Sequence, residues 1–540
     1  VDKNSLDITK LRNSYYNIKP DISDPSQKVS FGTSGHRGNP FLRTFNEMHI
    51  AAVVQAVADY RKKAGIDGVL FMGMDSHAVS LPAMMTAIEV LAANGVDTLI
   101  EQRLAFDDRG GYTPTPAVSF AILEENKKNK DKKADGIIIT PSHNPPTDGG
   151  IKYNPPTGGP ADASITKWIE EKANEYLAGS NGKVKKMPFE QAIKNAHIKK
   201  HDFITPYIKA LDSMIDMDAI KSSGIRIGTD PMGGAALEYL APIAEMYGLN
   251  MEVANPAIDV SFCFMPNDKD GKIRMDCSSS FAMANLIKLK DKYDIAWGND
   301  TDSDRHGIVT KSSGLMNPNH YLSVAINYLY QKRTNWPKNC MVGKTLVSSS
   351  MIDRVAASLG IEVFETPVGF KYFVDALLSK KIAFGGEESA GASFLRKDGA
   401  IWSTDKDGII MGLLAAEILA TTGRDPGALY KDLTGAFGEP VYDRIDTPAS
   451  PEVKNKLKNL SKENIRATIL AGEKIETILT HTSNGEAIGG IKVTTKNGWF
   501  AARPSGTENI AKLYAESFLG KDHLTIIIEE AKGIIAKAAA

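Results

Sequence analysis

Three kinds of residue in this 540-residue chain could do chemistry: one rigidly flanked serine, a run of alternating aspartates, and loops that mix glycine, hydroxyls and arginine. The serine is Ser142, in Thr140-Pro141-Ser142-His143-Asn144-Pro145-Pro146. The apolar run Gly136-Ile137-Ile138-Ile139 leads into it, which predicts a short buried strand ending in a polar, solvent-facing turn. Pro141 and the Pro145-Pro146 pair fix their own φ angles and restrict their predecessors, so the hydroxyl is presented at low entropic cost. Lys152 follows on the glycine-rich segment Asp148-Gly149-Gly150-Ile151-Lys152. With phosphate and metal chemistry on the other loops, Ser142 reads as a nucleophile that carries a phosphoryl group.

The aspartates stand in Asp300-Thr301-Asp302-Ser303-Asp304-Arg305. On an extended segment alternate residues point the same way, and three carboxylates so gathered repel one another unless a cation sits among them. Hard oxygen ligands select Mg²⁺ or a similar ion. An EF-hand loop is excluded, because its sixth and twelfth positions would be Arg305 and Lys311 instead of glycine and glutamate. Three protein carboxylates leave room for a phosphate oxygen on the metal, and Arg305 can brace the same phosphoryl group with its planar donors.

Four further segments carry matching chemistry. Phe31-Gly32-Thr33-Ser34-Gly35-His36-Arg37-Gly38 predicts a loop whose backbone N–H groups and Arg37 approach an anion. In Gly385-Gly386-Glu387-Glu388-Ser389-Ala390-Gly391, Glu387 and Ser389 lie two residues apart, suited to neighbouring sugar hydroxyls. Lys406, in Thr404-Asp405-Lys406-Asp407-Gly408, offers a further cation. Arg503, Ser505 and Thr507, around Gly506 and followed by Asn509, form a neutralising pocket for a dianionic phosphate.

The elements that must position these loops repeat along the chain. An apolar run ending in a small polar turn occurs at 69–73, at 225–230 and at 341–346, and each is followed later by a second short strand ending in a polar loop. Those second strands end at Ser142, at Asp300 and at Glu387. The reading is an α/β fold: three similar α/β domains with mixed sheets, spanning 1–205, 206–319 and 320–438, and a smaller α+β domain over 439–540. Ligands of such sheets gather outside the carboxyl ends of strands, so the loops are expected to converge on a central cleft. In the last domain Lys496-Asn497-Gly498-Trp499 reads as a hairpin turn.

Bulk composition narrows the partners. A chain that is 42% hydrophobic and 24% charged, with a net charge of −1, has no global field for nucleic acid or membrane, so phosphate affinity must be local. Three cysteines without metal-ligand spacing suit a reducing compartment. The first thirty residues hold no signal-like apolar core, and the longest apolar stretch, 409–420, is too short to span a bilayer. A cytoplasmic protein is expected, trimmed or truncated where it begins at Val1.

With these residues in place, the chain resembles the α-D-phosphohexomutase superfamily over 31–509, and within it bacterial phosphoglucomutases. The resemblance implies that Ser142 is the phosphorylated serine and that its phosphate completes a metal shell of Asp300, Asp302 and Asp304, with Arg305 beside it. It assigns sugar contacts to Glu387 and Ser389, and phosphate contacts to Arg503, Ser505, Gly506, Thr507 and Asn509. Arg37, Gly369, Lys371 and Lys406 are expected to contact substrate. Two positions depart from relatives: Ala390-Gly391 stands where some carry a histidine, and Val368 where some carry a threonine. The implied reaction interconverts α-D-glucose 1-phosphate and glucose 6-phosphate, with Mg²⁺ as cofactor and glucose 1,6-bisphosphate as intermediate. Lys152, favoured as a neutral amine by a cation-rich site, and then His143 are the expected acid–base groups. Mannose- or glucosamine-phosphate mutase activity, or a non-catalytic phosphosugar-binding homologue, are the alternatives. A small phosphosugar is the expected partner of a monomer or homodimer, and closure of the last domain over the cleft is expected to exclude water.

Overall fold

The computed structural model describes residues 6–32, 34–504 and 510–539. They form two compact units, Val1–Met316 with Ser389–Asp425, and Asn317–Glu388 with Pro426–Ala540.

The first unit holds two mixed sheets. One contains β1 (His36–Gly38), β2 (Leu70–Met74), β3 (Thr98–Glu101), β4 (Asp135–Ile139), β5 (Gly149–Asn154) and β6 (Ile198–His201), in the order β1-β5-β4-β2-β3-β6. β4, β2, β3 and β6 run parallel, whereas β5 returns antiparallel to β4 and β1 antiparallel to β5. β2 and β4 are buried along their whole length, which is why they read as unbroken apolar runs. The other sheet has β7 (Ile227–Asp230), β8 (Met251–Val253), β9 (Ile295–Asn299), β10 (His306–Thr310) and β11 (Gly314–Leu315), in the order β11-β10-β9-β7-β8. The segment 389–425 belongs to this unit, and its helix Gly408–Thr422 packs on β9 and β10. That helix is the longest apolar stretch of the sequence; it is buried nearly all round, and Gly412 lies flat against the Trp297 ring.

In the second unit β12 (Met341–Thr345), β13 (Val363–Thr366) and β14 (Ile382–Glu387) run parallel, with β12 between the other two. The same arrangement therefore occurs three times: β2 pairs with β4, β7 with β9 and β12 with β14, and a third strand lies on the other flank. The loops after β4 and β9 carry Ser142 and the aspartates, and β14 ends at Glu387, with Ser389 two residues on. The C-terminal part is a five-stranded sheet whose neighbours Val441–Pro448, Ile510–Ser517, Gly498–Pro504, Ala487–Thr494 and Thr477–His481 pair antiparallel, with the helices Pro451–Lys458 and Lys521–Ala539 against it. Lys496 and Asn497 sit in the predicted hairpin, where Thr494 faces Trp499 and the Thr495 N–H donates to the Gly498 carbonyl at 2.8 Å. The three cysteines are free thiols, and among the described residues no helix is long and apolar enough to cross a membrane.

Candidate active site

Ser142 takes a left-handed backbone conformation, φ 59°, just beyond the end of β4. A β-carbon is crowded there, and only surrounding contacts keep a non-glycine residue in place. The Ser142 N–H donates to Thr140 Oγ1 at 2.8 Å, and its carbonyl accepts from Thr301 Oγ1 at 2.7 Å. So held, the Ser142 hydroxyl donates to Asp300 Oδ2 at 2.7 Å, and His143 Nδ1 lies 3.2 Å from Ser142 Oγ. The sequence predicts a solvent-facing serine; in the structure Ser142 is only 1% exposed, because the aspartate loop lies over it.

The aspartate loop also departs from the extended segment that alternation suggests. It is a tight turn, closed by the Ser303 N–H on the Asp300 carbonyl at 2.9 Å, with Ser303 at φ 61°. The turn gathers the three buried carboxylates, with ligand oxygens within 4.8 Å of one another. Asp302 Oδ2 accepts from Thr115 Oγ1 and, at 2.6 Å, from Lys152 Nζ. Asp304 Oδ2 accepts from Lys152 at 3.0 Å and faces Lys406 Nζ at 3.2 Å. Arg305 donates its own N–H to Asp300 Oδ1 at 3.0 Å, and its Nε stands 3.9 Å from Asp304 Oδ1.

A divalent cation fits this turn. Asp302 Oδ1 and Asp304 Oδ1 are buried and have no hydrogen-bond partner among the described residues, a costly state for carboxylate oxygens. Burial and the charges of Asp302 and Asp304 hold the Asp300 carboxyl well above its ordinary pKa. A cation among the three would relieve that repulsion.

Lys152 lies in β5, and its direct partners are the carboxylates of Asp302 and Asp304 instead of the cations expected of it. Burial works to lower its pKa, but Asp302 and Asp304 outweigh that and raise it, so the ammonium form is favoured. His143 behaves the other way: burial, then Arg305 and Arg37, hold it well below the ordinary histidine value. Arg37, in the strand β1 instead of an open anion loop, donates from Nη1 to Asn144 Oδ1 at 3.2 Å. Lys406 reaches Asp304 because its stem crosses Gly391, where a β-carbon would stand 2.1 Å from Lys406 Cδ. Gly391 pairs with Arg305 through an isolated bridge, and Ser389 stands two residues before it. The structure thus brings Ser142, His143, Lys152, Arg37, Lys406, Arg305 and the three aspartates together in the first unit.

The second unit carries Gly369, Lys371, Glu387 and Arg503. The Gly369 N–H donates to Glu387 Oε1 at 3.1 Å, and its φ of 132° is open to glycine but strained for other residues. Lys371 follows in the short helix Phe370–Phe373, and Arg503 lies near the end of the strand Gly498–Pro504, opposite Lys512. Ser505, Gly506, Thr507 and Asn509 lie outside the described residues.

Sequence reasoning missed the residues beneath the serine. Asp75 and His77, in the turn after β2, are both buried, with His77 Nδ1 2.9 Å from Asp75 Oδ2. Asp75 accepts from Thr140 Oγ1 at 2.6 Å and lies 2.9 Å from Thr301 Oγ1. Their signal was the polar turn after the first apolar run, the same kind of signal that drew attention to Ser142.

Four family models cover most of the chain: phosphoglucomutase/phosphomannomutase alpha/beta/alpha domains I, II and III over residues 28–179, 205–314 and 317–437, and the C-terminal domain over 452–532. The chain is 57% identical over 538 residues to a phosphoglucomutase of Komagataeibacter xylinus, covering 99% of this chain and 96% of that one. The chain belongs to the phosphoglucomutase/phosphomannomutase family. Within it, rabbit (Oryctolagus cuniculus) phosphoglucomutase-1 is 28% identical over 78% of this chain and 74% of its own. The open-form structure of parafusin, a phosphoglucomutase of Paramecium, superposes with a TM-score of 0.74 at 22% identity, over 96% of this chain and 95% of that one, a likeness of fold.

Proposed function

We propose that the protein is a phosphoglucomutase, interconverting α-D-glucose 1-phosphate and glucose 6-phosphate through a phosphorylated Ser142. The observation that carries the reading is the Ser142 hydroxyl on Asp300, inside a turn of three carboxylates with two oxygens left for a cation. Kinship with a phosphoglucomutase at 57% identity supports the choice of sugar.

In the forward half-reaction the Ser142 Oγ–P bond breaks and a new P–O bond forms to the free hydroxyl of the bound monophosphate. The hydroxyl loses one proton and Ser142 Oγ regains one, so the resulting glucose 1,6-bisphosphate and free serine balance the step. His143, 3.2 Å from Ser142 Oγ, is placed to pass that proton. Lys152, on Asp302 and Asp304, is the second titratable nitrogen and braces charge on the transferring group. The bisphosphate then turns over, and its other phosphate returns to Ser142. Asp300, Asp302 and Asp304, joined by a phosphate oxygen on Ser142, would hold Mg²⁺, which when bound offsets negative charge on the phosphoryl oxygens. Arg305 donates to the same group. Glu387 and Ser389 read sugar hydroxyls, assisted by Gly369 and Lys371. Arg503, with Ser505, Gly506, Thr507 and Asn509, holds the far phosphate, and Arg37 and Lys406 add positive charge near the serine. Most of the acceleration comes from positioning and fixed charge. The protein acts in the cytoplasm on small phosphosugars, as a monomer or homodimer, without nucleic acid or membrane.

The test combines intact-protein mass spectrometry with a mutase assay on glucose, mannose and glucosamine 1-phosphates. One phosphate on Ser142 and preference for glucose are expected, with turnover of Ser142→Ala down by several orders of magnitude. A Ser142→Ala protein that keeps its turnover would reject the phosphoserine, and preference for another sugar would reassign the substrate.

A further inference from the structure

We propose that Asp75 and His77 are positioning residues for the nucleophile, holding Ser142 in its left-handed conformation through two threonine hydroxyls and one backbone carbonyl. The proposal rests on the reading of Ser142 as the phosphorylated residue.

Asp75 is a buried carboxylate surrounded by donors. Oδ1 accepts from the His77 N–H at 3.0 Å and from Ser80 Oγ at 2.6 Å. Oδ2 faces His77 Nδ1 at 2.9 Å, Thr140 Oγ1 at 2.6 Å and Thr301 Oγ1 at 2.9 Å. The two threonines come from different sheets, one after β4 and one after β9. Thr140 gives its proton to Asp75, which leaves its lone pairs for the Ser142 N–H. Thr301 shares its proton between Asp75 and the Ser142 carbonyl. Both peptide groups of Ser142 are therefore fixed by hydroxyls that stand on one carboxylate.

His77 extends the hold by two residues. Its Nε2 lies 3.0 Å from the Asn144 carbonyl, and its Nδ1 faces Asp75. Both partners are acceptors only, so a ring that satisfies both carries two protons. Burial opposes that charge, but Asp75 overrides it and His77 sits above its ordinary pKa. Between them, Ser76 Oγ donates to the Gly233 carbonyl at 2.6 Å, so three consecutive residues bind the turn after β2 to the serine loop, the aspartate loop and the loop after β7. Ser142 Oγ points at Asp300 only while its peptide groups are held this way. For an in-line transfer, a displacement of about 1 Å costs on the order of a hundredfold in rate.

The test uses the whole enzyme and shape-preserving variants. Thr301→Val and Thr140→Val each delete one hydroxyl, and Asp75→Asn removes the charge and turns one of the two acceptor oxygens into an NH2 donor. Each is expected to lower kcat roughly ten- to a hundredfold while KM for glucose 1-phosphate moves less than about threefold. The double variant Asp75→Asn/Thr301→Val is expected to lose clearly less than the product of the two single losses, because the carboxylate and the hydroxyl hold the same Ser142 peptide group. Thr301→Ser, which restores the hydroxyl, should recover most of the rate. If Asp75→Asn does not fold, the two threonine variants and the serine rescue decide alone. Wild-type kcat in both threonine variants, a loss confined to KM, no rescue by serine, or a fully multiplicative double variant would overturn the proposal. Ser142→Ala runs alongside. If it retains turnover, the phosphoserine reading and the positioning role fall together; if it is inactive while the threonine variants are normal, only the positioning role falls.

Discussion

Replacing Gly391 by alanine should disable Lys406 without touching it. Gly391 is not in the left-handed region, so the backbone accepts a side chain there. The new methyl would lie 2.1 Å from Lys406 Cδ. Ordinary carbon contact needs about 3.5–4.0 Å, so the lysine stem must retreat by roughly 1.5 Å. The Lys406–Asp304 contact of 3.2 Å would then open beyond hydrogen-bond reach. Losing a hydrogen bond to a charged group costs about 1.5–3 kcal/mol. Where that contact is held in the transition state, the loss is roughly ten- to a hundredfold in kcat/KM. The assay is steady-state conversion of glucose 1-phosphate, coupled to oxidation of glucose 6-phosphate, for Gly391→Ala, Lys406→Met and the double variant. The double variant should match Lys406→Met to within about twofold, because the glycine acts only through the lysine. Wild-type kcat/KM in Gly391→Ala, or losses that multiply in the double variant, would refute the reasoning.

Three further outcomes are expected. Asp302→Asn keeps the shape of the aspartate turn and removes one charge, so Mg²⁺ affinity measured by calorimetry should weaken about tenfold, and added Mg²⁺ should restore part of the activity; full activity of EDTA-treated wild type would contradict the metal site. His49 is buried, with Nδ1 accepting from the Asn46 N–H and Nε2 on the Gln27 carbonyl, and burial pulls its pKa from 6.5 to about 4. Its unfolded form takes up a proton near pH 6.5 and the folded form only near 4, so stability is full above 6.5 and falls with pH, by about 2 kcal/mol at pH 5. Urea unfolding at pH 7 and pH 5 should show that difference shrinking in His49→Gln, and an unchanged difference would exclude His49 as its source. Arg503→Ala should lower kcat/KM about ten- to a hundredfold and increase dependence on added glucose 1,6-bisphosphate, as judged by assays with and without it; unchanged kinetics would remove Arg503 from the far-phosphate site.

The residues of the first unit's site were legible in sequence wherever chemistry is local. Ser142 announces itself by its proline flanks, and the aspartates by alternation, although a left-handed turn and not an extended strand gathers them. The threefold strand pattern was legible because fully buried parallel strands read as apolar runs. Partnerships between distant segments were not. Nothing local to Lys152 shows that Asp302 and Asp304 will clasp it, and these two carboxylates favour its ammonium form over the neutral amine expected. Likewise Lys406 reads as a further cation, but nothing near it in sequence shows that it crosses Gly391 to meet Asp304. Asp75 and His77 carry no motif of their own; their partners are two threonine hydroxyls and one carbonyl on the loops after β4 and β9.

The charges that meet at the aspartate turn formally cancel: Asp300, Asp302 and Asp304 against Lys152, Arg305 and Lys406. A phosphoryl group on Ser142 would add nearly two negative charges, and a divalent cation two positive ones. Either alone leaves a buried site charged; together they restore neutrality. The two loadings would therefore be thermodynamically linked. Whatever factor the phosphate adds to cation affinity, the cation returns to the stability of the phosphorylated serine. An enzyme that loses its phosphate to water would by the same coupling loosen its grip on the metal, and inactivation would proceed as one event instead of two.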